Sequence, residues 1–417
     1  MGVTLRRLST LVSGLGVIFA STTIGMGASL TPASAASDPA PIVVGGEGQV
    51  ALTAGVAQGF EAGILRFNEA GGLGGRKIKF LGFLDDNFSA STALANVQKL
   101  VQEDHVFAVV PFNNEIATDS ISTFLAQNKT PMIGYGVTPV FVNNPWAWSV
   151  VGDYAAGTTA QTTQFVQMTD ALHAKASTLK WGLVGTDVPG GETVLKLAAT
   201  SIHSIGEKVV YNEANIPAAG TTNYLPYAQA IVSSGANVIY NALSASDVIG
   251  LAAALKSAGY KGASLNGQTY IPGELASNPN EEAALQGAYV SSAFPVNEDK
   301  TPAVKQALKD LKAVGAPQAL NNGTSVGYWS AQLFIAMLKS TAAKDGGASK
   351  VTPQSVEKFV NSGYTYKGNI AGGLAPETFP AAERNEQTTC YATTQIEGPN
   401  FVLKEPYACN GKLIPVG

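Results

Sequence analysis

Two short polar runs hold most of the binding chemistry this chain can offer: Asn113-Asn114-Glu115 and Gly136-Val137-Thr138-Pro139. Each falls between a β-rich run and a helical one, where amides, hydroxyls and unsatisfied backbone N–H groups gather. The side chains of Asn113 and Asn114 are expected to point into a cleft, and Thr138-Pro139 reads as an N-cap followed by Pro at the first helical position. Such a place suits a carboxylate or another polar head group. The alternative is that Asn114 and Thr138 only cap their own helices; two adjacent loops with the same pattern favour a shared ligand site.

Catalytic constellations do not form. His105, His173 and His203 are scattered, and no H-E-x-x-H or Cys-His set has metal-ligand spacing. There is no G-x-S-x-G elbow and no G-x-x-x-x-G-K-[ST] loop, so no cofactor is expected. The glycines of Gly71–Gly75 follow a helix and precede a strand, the reverse of a phosphate cradle, and read as a tight turn. Asp85-Asp86 reads as a polar loop with charge at a helix N-terminus rather than as an acid pair. Trp146 and Trp148 alternate on one face of an extended segment and are expected in the core. Tyr154 and Tyr270 are better placed to wall a ligand site, or equally to pack between lobes.

The elements that must position these residues alternate. Strands are expected at Ile42–Gly46, Lys77–Leu84, Phe107–Pro111 and Pro131–Tyr135, with helices at Leu52–Glu69, Ser91–Glu103 and Ile116–Gln127 between them. A second series has strands at Trp181–Gly185, Lys208–Asn212, Val238–Tyr240 and Ala263–Asn266, with helices at Glu192–Ile205, Tyr224–Ser234 and Asp247–Ala258. Two further helices, Pro302–Val314 and Ser325–Thr341, precede a tail of strands and loops from Tyr364 onward. This rhythm implies an α/β fold with two open parallel sheets. Ligands of such sheets bind outside the carboxyl ends of the strands. The loops there are Glu47–Val50, Phe112–Glu115, Tyr135–Pro139, Thr186–Gly191, Ala242–Ser246 and Gly267–Ile271, and facing lobes would gather all of them into one cleft.

The first residues set the compartment. Arg6-Arg7, the apolar stretch Leu8–Ala20 and the pattern Ala33-Ser34-Ala35 form an expected signal peptide over residues 1–36. Export makes a disulfide between Cys390 and Cys409, the only cysteines, the natural reading. With a net charge of -4, 13% charged residues and no basic cluster, a nucleic-acid partner is excluded.

The run Phe67-Asn68-Glu69-Ala70-Gly71-Gly72, the strand after it, Asp85-Asp86 and Ile133-Gly134-Tyr135-Gly136-Val137-Thr138-Pro139 resemble the branched-chain amino-acid-binding proteins; the likeness continues more weakly through Gly185–Glu192 and Thr222–Ile239. The resemblance implies a type I periplasmic binding fold: two Rossmann-like lobes with parallel sheets, joined by a three-segment hinge. It places residues 37–153 and 288–364 in the N-terminal lobe and 154–287 and 365–417 in the C-terminal lobe. It implies that Asn113, Asn114, Glu115 and Thr138 stand where a ligand carboxylate is held, with Gly136 and Val137 as backbone contacts and Asp153 and Tyr154 at the crossover. Two departures stand out. A tyrosine expected after Gly185 gives way to Val188-Pro189, and the acid expected for an α-ammonium gives way to Gln268 or Thr269, beside Tyr270. Burying an ammonium without a counter-charge costs several kcal/mol. A neutral amide, an organic acid, or an aromatic or polyol-like solute fits better than a zwitterionic amino acid. The resulting expectation is an exported, monomeric, non-catalytic solute receptor for the permease of an ABC transporter; a ligand sensor for a regulatory or chemosensory partner is the alternative.

Overall fold

The computed structural model describes residues 39–50, 54–316, 319–368, 371–375, 379 and 386–416. The signal-peptide expectation for residues 1–36 lies outside them. Among the described residues no helix is long and apolar enough to cross a membrane.

The first half builds one sheet. β1 (Ile42–Gly48), α1 (Val56–Glu69), β2 (Ile78–Asp85), α2 (Ala90–Gln98), β3 (Ala108–Asn113), α3 (Asp119–Asn128), β4 (Met132–Gly136) and β5 (Ala147–Asp153) follow in order. The five strands pair in parallel in the order β2-β1-β3-β4-β5. Apolar side chains leave both faces of β1, β3 and β4, as helices on both sides require. Phe60, Ile64 and Phe67 form the inward stripe of α1, and the Gly71–Gly75 run is the turn into β2, closed by reciprocal backbone bonds between Leu73 and Arg76 (2.9 and 3.1 Å). Trp148 is buried in the same core and Trp146 nearly so, as their alternation implied. The segment that carries them, read from sequence only as extended, leads into the edge strand β5, which starts just after Trp146 and contains Trp148.

The chain then passes through β6 (Thr159–Gln161) and α4 (Thr163–Ala171) to the second sheet: β7 (Lys180–Thr186), α5 (Pro189–Ser204), β8 (Lys208–Ile216), α6 (Leu225–Ser233), β9 (Val238–Ala242), α7 (Ala245–Ser257), β10 (Ala263–Asn266), α8 (Pro279–Leu285) and β11 (Tyr289–Ser292). It returns with α9 (Pro302–Ala313), α10 (Asn322–Asp345) and α11 (Pro353–Val360), whose apolar faces join the core of the first sheet. Arg66 of α1 reaches Asp310 of α9 (3.1 Å), and Tyr328 of α10 donates its hydroxyl to the same carboxylate (3.0 Å). β12 (Tyr391–Glu397), β13 (Asn400–Ala408) and β14 (Leu413–Pro415) end the chain. β12 and β13 add antiparallel strands to the second sheet, which runs β13-β12-β11-β10-β9-β7-β8, while β14 pairs with β6. Gly398, with φ +57°, makes the two-residue turn between β12 and β13 possible.

β11 joins the second sheet through its pairing with β10 and β12. Tyr366, Leu374 and Phe379 pack in the core of the first sheet. Cys390 and Cys409 form the expected disulfide, joining the start of β12 to the end of β13.

Candidate ligand-binding cleft

The carboxyl ends of β1, β2 and β3 meet in a buried polar cluster. Gly48 lets this happen: a Cβ there would come within 1.8 Å of the Asn113 carbonyl oxygen, and φ +149° keeps other residues out. Beyond it, Gln49 donates its backbone N–H to that carbonyl (3.2 Å). Asn114 is fully buried, and its amide donates to Glu47 Oε2 (3.0 Å) and Asp86 Oδ2 (2.6 Å). Gln49 Nε2 donates to Asp86 Oδ2 as well (2.5 Å). Burial first, and then the nearby charge of Asp86, push the Glu47 carboxyl up to about 9 against the opposing pull of Asn114. Glu47 is therefore protonated at neutral pH and hydrogen-bonds to Asp86 through that proton.

This cluster corrects two sequence expectations. Asp86 is not a solvated charge at a helix start; it is buried, and its Oδ1 accepts from the Phe88 N–H (2.7 Å). Asn114 does not point into the cleft, because its Oδ1 turns back to accept the Ile116 N–H (2.8 Å) while its amide faces the carboxyls. The Glu115 N–H is engaged too, by Gln49 Oε1 (2.8 Å). These bonds hold the 114–116 segment out of helix, so α3 starts at Asp119 and not at Ile116. Asn113 is buried at the end of β3, whereas the Glu115 side chain is exposed with no hydrogen bond or ion pair of its own. Desolvation by the nearby protein nonetheless raises the Glu115 carboxyl above its ordinary range.

One strand further along, β4 ends on Tyr135-Gly136. A Cβ on Gly136 would lie 2.5 Å from the Gly152 carbonyl oxygen, so glycine here lets β4 and β5 close on each other. The Gly136 N–H donates to Ser149 Oγ (3.0 Å), its carbonyl accepts from Tyr154 N–H (3.0 Å), and Val137 N–H turns back to the Tyr135 carbonyl (3.1 Å). Thr138 precedes a short 3-10 turn but makes no side-chain cap; its Oγ1 is buried without a hydrogen-bond partner. Asp153 is buried beside Gly136, with Oδ1 accepting from Ala155 (2.9 Å) and Ala156 (3.3 Å) and Oδ2 unpartnered. Desolvation raises its carboxyl to about 7 although those two N–H groups favour the anion.

From here the first sheet meets the second. Tyr135 and Tyr154 rings lie 6.4 Å apart and nearly parallel, and Tyr135 also packs 6.0 Å from Phe294. The hydroxyls of Tyr154 and Tyr391 are hydrogen-bonded to each other, joining the end of β5 to the start of β12. Tyr240 of β9 stands against Phe165 (5.4 Å), with its hydroxyl on Gln164 and within electrostatic reach of Tyr135, Tyr154 and Tyr391. Burial raises every one of these phenols, Tyr240 to about 12, so all are neutral donors. Yet Tyr135, Tyr154 and Tyr240 each keep part of their surface open while protein surrounds them, the signature of walls around a gap. Of the groups whose charge bears on Tyr135, Glu115 is the carboxyl and Tyr240 the other.

The structure thus brings together Glu115, Gly136, Val137, Thr138, Asp153 and Tyr154 of the expected residues. Thr269 and Tyr270 are taken up by other contacts. Tyr270 is core: its ring packs on Phe401 (4.9 Å) and its hydroxyl donates to Glu298 (2.6 Å). Thr269 is buried and bonded to Asn266 (3.0 Å). Pro189 and Gln268 are exposed, Pro189 as the first residue of α5. Tyr135, Tyr240 and Tyr391 were missed as ligand walls. Their signal was weak: each is one aromatic at a strand end, and only Tyr135, flanked by two glycines, stands apart from an ordinary core residue. Among the described residues no group of histidine, cysteine or acidic side chains could hold a metal ion.

The family described as periplasmic binding protein matches residues 43–400. Several solved structures share the fold. A solute-binding protein of an ABC transporter from R. palustris, in complex with 4-hydroxybenzoate, is 19% identical with a TM-score of 0.68, over 88% of this chain and 96% of its own. A fatty acid ABC transporter substrate-binding protein from Thermomonospora curvata is 16% identical with a TM-score of 0.69, over 88% and 92%. An ABC transporter substrate-binding protein from Desulfitobacterium hafniense, in complex with Leu, is 14% identical with a TM-score of 0.65, over 87% and 99%. Comparison with curated proteins finds no match.

Proposed function

Because the chain belongs to the periplasmic binding protein family, we propose that it captures a small amphipathic molecule in the cleft between its two sheets and presents it to the permease of an ABC transporter. The fold is the type I periplasmic binding fold that the sequence resemblance implied. One observation carries the functional reading: Tyr135 and Tyr154 from the first sheet and Tyr240 and Tyr391 from the second converge on one gap. A ligand there touches both lobes at once and so favours their closed arrangement over the open one.

The chemistry of the gap suits binding without turnover. Aromatic walls bury an apolar body, while the unpartnered Thr138 Oγ1 and the half-used Asp153 carboxyl offer acceptors to its polar end. The lobes would be the segments around each sheet, with crossings after Asp153, after Ser292 and before Tyr391. Cleavage of the export signal near Ala35 would release the chain into the periplasm or beyond as a monomer.

A thermal-shift panel of small amines, carboxylic acids, amides and sugars tests this reading. A ligand at ~100 times its dissociation constant adds ~2.7 kcal/mol, so a rise in melting temperature is expected for one chemical class. A Tyr240→Ala variant that keeps the full rise would remove the aromatic gap as the place of binding.

A further inference from the structure

We propose, resting on the reading of this cleft as a solute site, that its ligand is a small organic cation with an apolar body, seated between the Glu115 carboxylate and the rings of Tyr135, Tyr154 and Tyr240. Three of the donors at the tip of the loop that could have received an anion are already engaged. The Glu115 N–H is held by Gln49 Oε1 (2.8 Å), the Ile116 N–H by Asn114 Oδ1 (2.8 Å), and the Asn114 amide by Glu47 and Asp86. What the loop presents instead is the Glu115 side chain, exposed and without a hydrogen bond or ion pair among the described residues. Its carboxylate lies close enough to act on the Tyr135 hydroxyl, and the other groups that act on Tyr135 and Tyr154 are tyrosines; none is a lysine or arginine.

A ligand carboxylate in this place would face Glu115 with no lysine or arginine acting on Tyr135 or Tyr154 to offset the repulsion. An ammonium or quaternary ammonium gains on both counts. It meets a free carboxylate, and it lies against phenol rings whose negative faces attract a cation, most strongly where water is excluded. The two unpartnered buried atoms on the same rim, Thr138 Oγ1 and Asp153 Oδ2, are both able to accept a hydrogen bond, which suits a donor-bearing head group. The apolar body then takes the remaining space beside Phe294.

The test uses the full chain with four probes of similar size: benzyltrimethylammonium, benzylammonium, benzoate and benzyl alcohol. Calorimetry and thermal shift are run on the wild type and on Glu115→Gln and Glu115→Lys. The Glu115 side chain holds no partner, so both unliganded variants should melt with the wild type. The cations should bind the wild type and lose at least tenfold in affinity on Glu115→Gln, and Glu115→Lys should transfer binding to benzoate. Binding of benzoate or benzyl alcohol in preference to the cations overturns the cation assignment and leaves the solute-receptor reading standing. Cation binding that Glu115→Gln leaves unchanged overturns it as well. No binding of any probe to the wild type overturns it and also counts against the aromatic gap as a binding site.

Discussion

Two polar regions sit at the carboxyl ends of the same sheet, and they are built in opposite ways. Around Asn114, Glu47, Gln49 and Asp86 bond to one another and to the backbone, and the ensemble is closed to solvent. Around Tyr135, the neighbouring strand end leaves Thr138 Oγ1 and Asp153 Oδ2 without partners and several aromatic surfaces open. Buried polar groups in a folded protein are nearly always paired, so an unpaired set beside a gap is where a ligand supplies the missing partners. The paired set is a scaffold. It sets the path of the loop that carries Glu115, and it takes up the Asn114 amide and the Glu115 and Ile116 N–H groups.

The largest effect should come from breaking the scaffold. Asn114→Ala leaves two buried carboxyls without their shared donor and should lower stability by about 3 kcal/mol. Chemical denaturation measures this; a loss below about 1 kcal/mol would place the cluster on the same footing as the open rim.

The pH dependence of that scaffold is next. Glu47 titrates near 4.5 in the unfolded chain and at about 9 in the folded one, so folding takes up a proton. Its contribution is fully present below pH 4.5 and is lost as pH rises toward 9, at up to ~1.4 kcal/mol per pH unit. The groups that face it are Asp86, Asn114 and Asn96. Glu47→Gln, neutral at every pH, should flatten this decline and be the more stable form by a few kcal/mol at pH 8. Parallel stability curves for the two proteins between pH 5 and 8 would contradict the shared proton.

The smallest effect on stability should come from the open rim. Thr138→Ala removes a hydroxyl that bonds nothing, so the empty protein should melt within about 1 kcal/mol of the wild type. Ligand affinity should fall nonetheless, which is the reverse of the Asn114→Ala pattern. An unchanged affinity by calorimetry would take Thr138 out of the site.

The sequence made the alternation of strands and helices legible because its periods are local, and it made the disulfide legible because export and a lone cysteine pair leave little else. It did not reveal which way Asn114 points. That direction depends on Glu47 and Asp86, 67 and 28 residues earlier, and on the register of β1 against β3. The Asx turn onto Ile116 and a side chain aimed at a ligand share the same local sequence. Tyr240 and Tyr391 were hidden for a similar reason: a tyrosine at a strand end reads as core until the opposite sheet is in place. Tyr270 erred in the other direction, because its partner Glu298 lies beyond another helix and strand. The sheet that β11 joins and the core that Tyr366 enters were hidden for the same reason, since long-range packing sets both.

Calorimetry on Tyr135→Ala and Tyr240→Ala tests the shared grip most directly, using whichever small molecule stabilises the wild-type chain most. The two residues belong to different sheets, so a ligand held from both sides should lose at least tenfold in affinity with either change, roughly 1.4 kcal/mol or more. Full affinity in one of the two variants would mean that a single sheet holds the guest, and the clamp would be wrong.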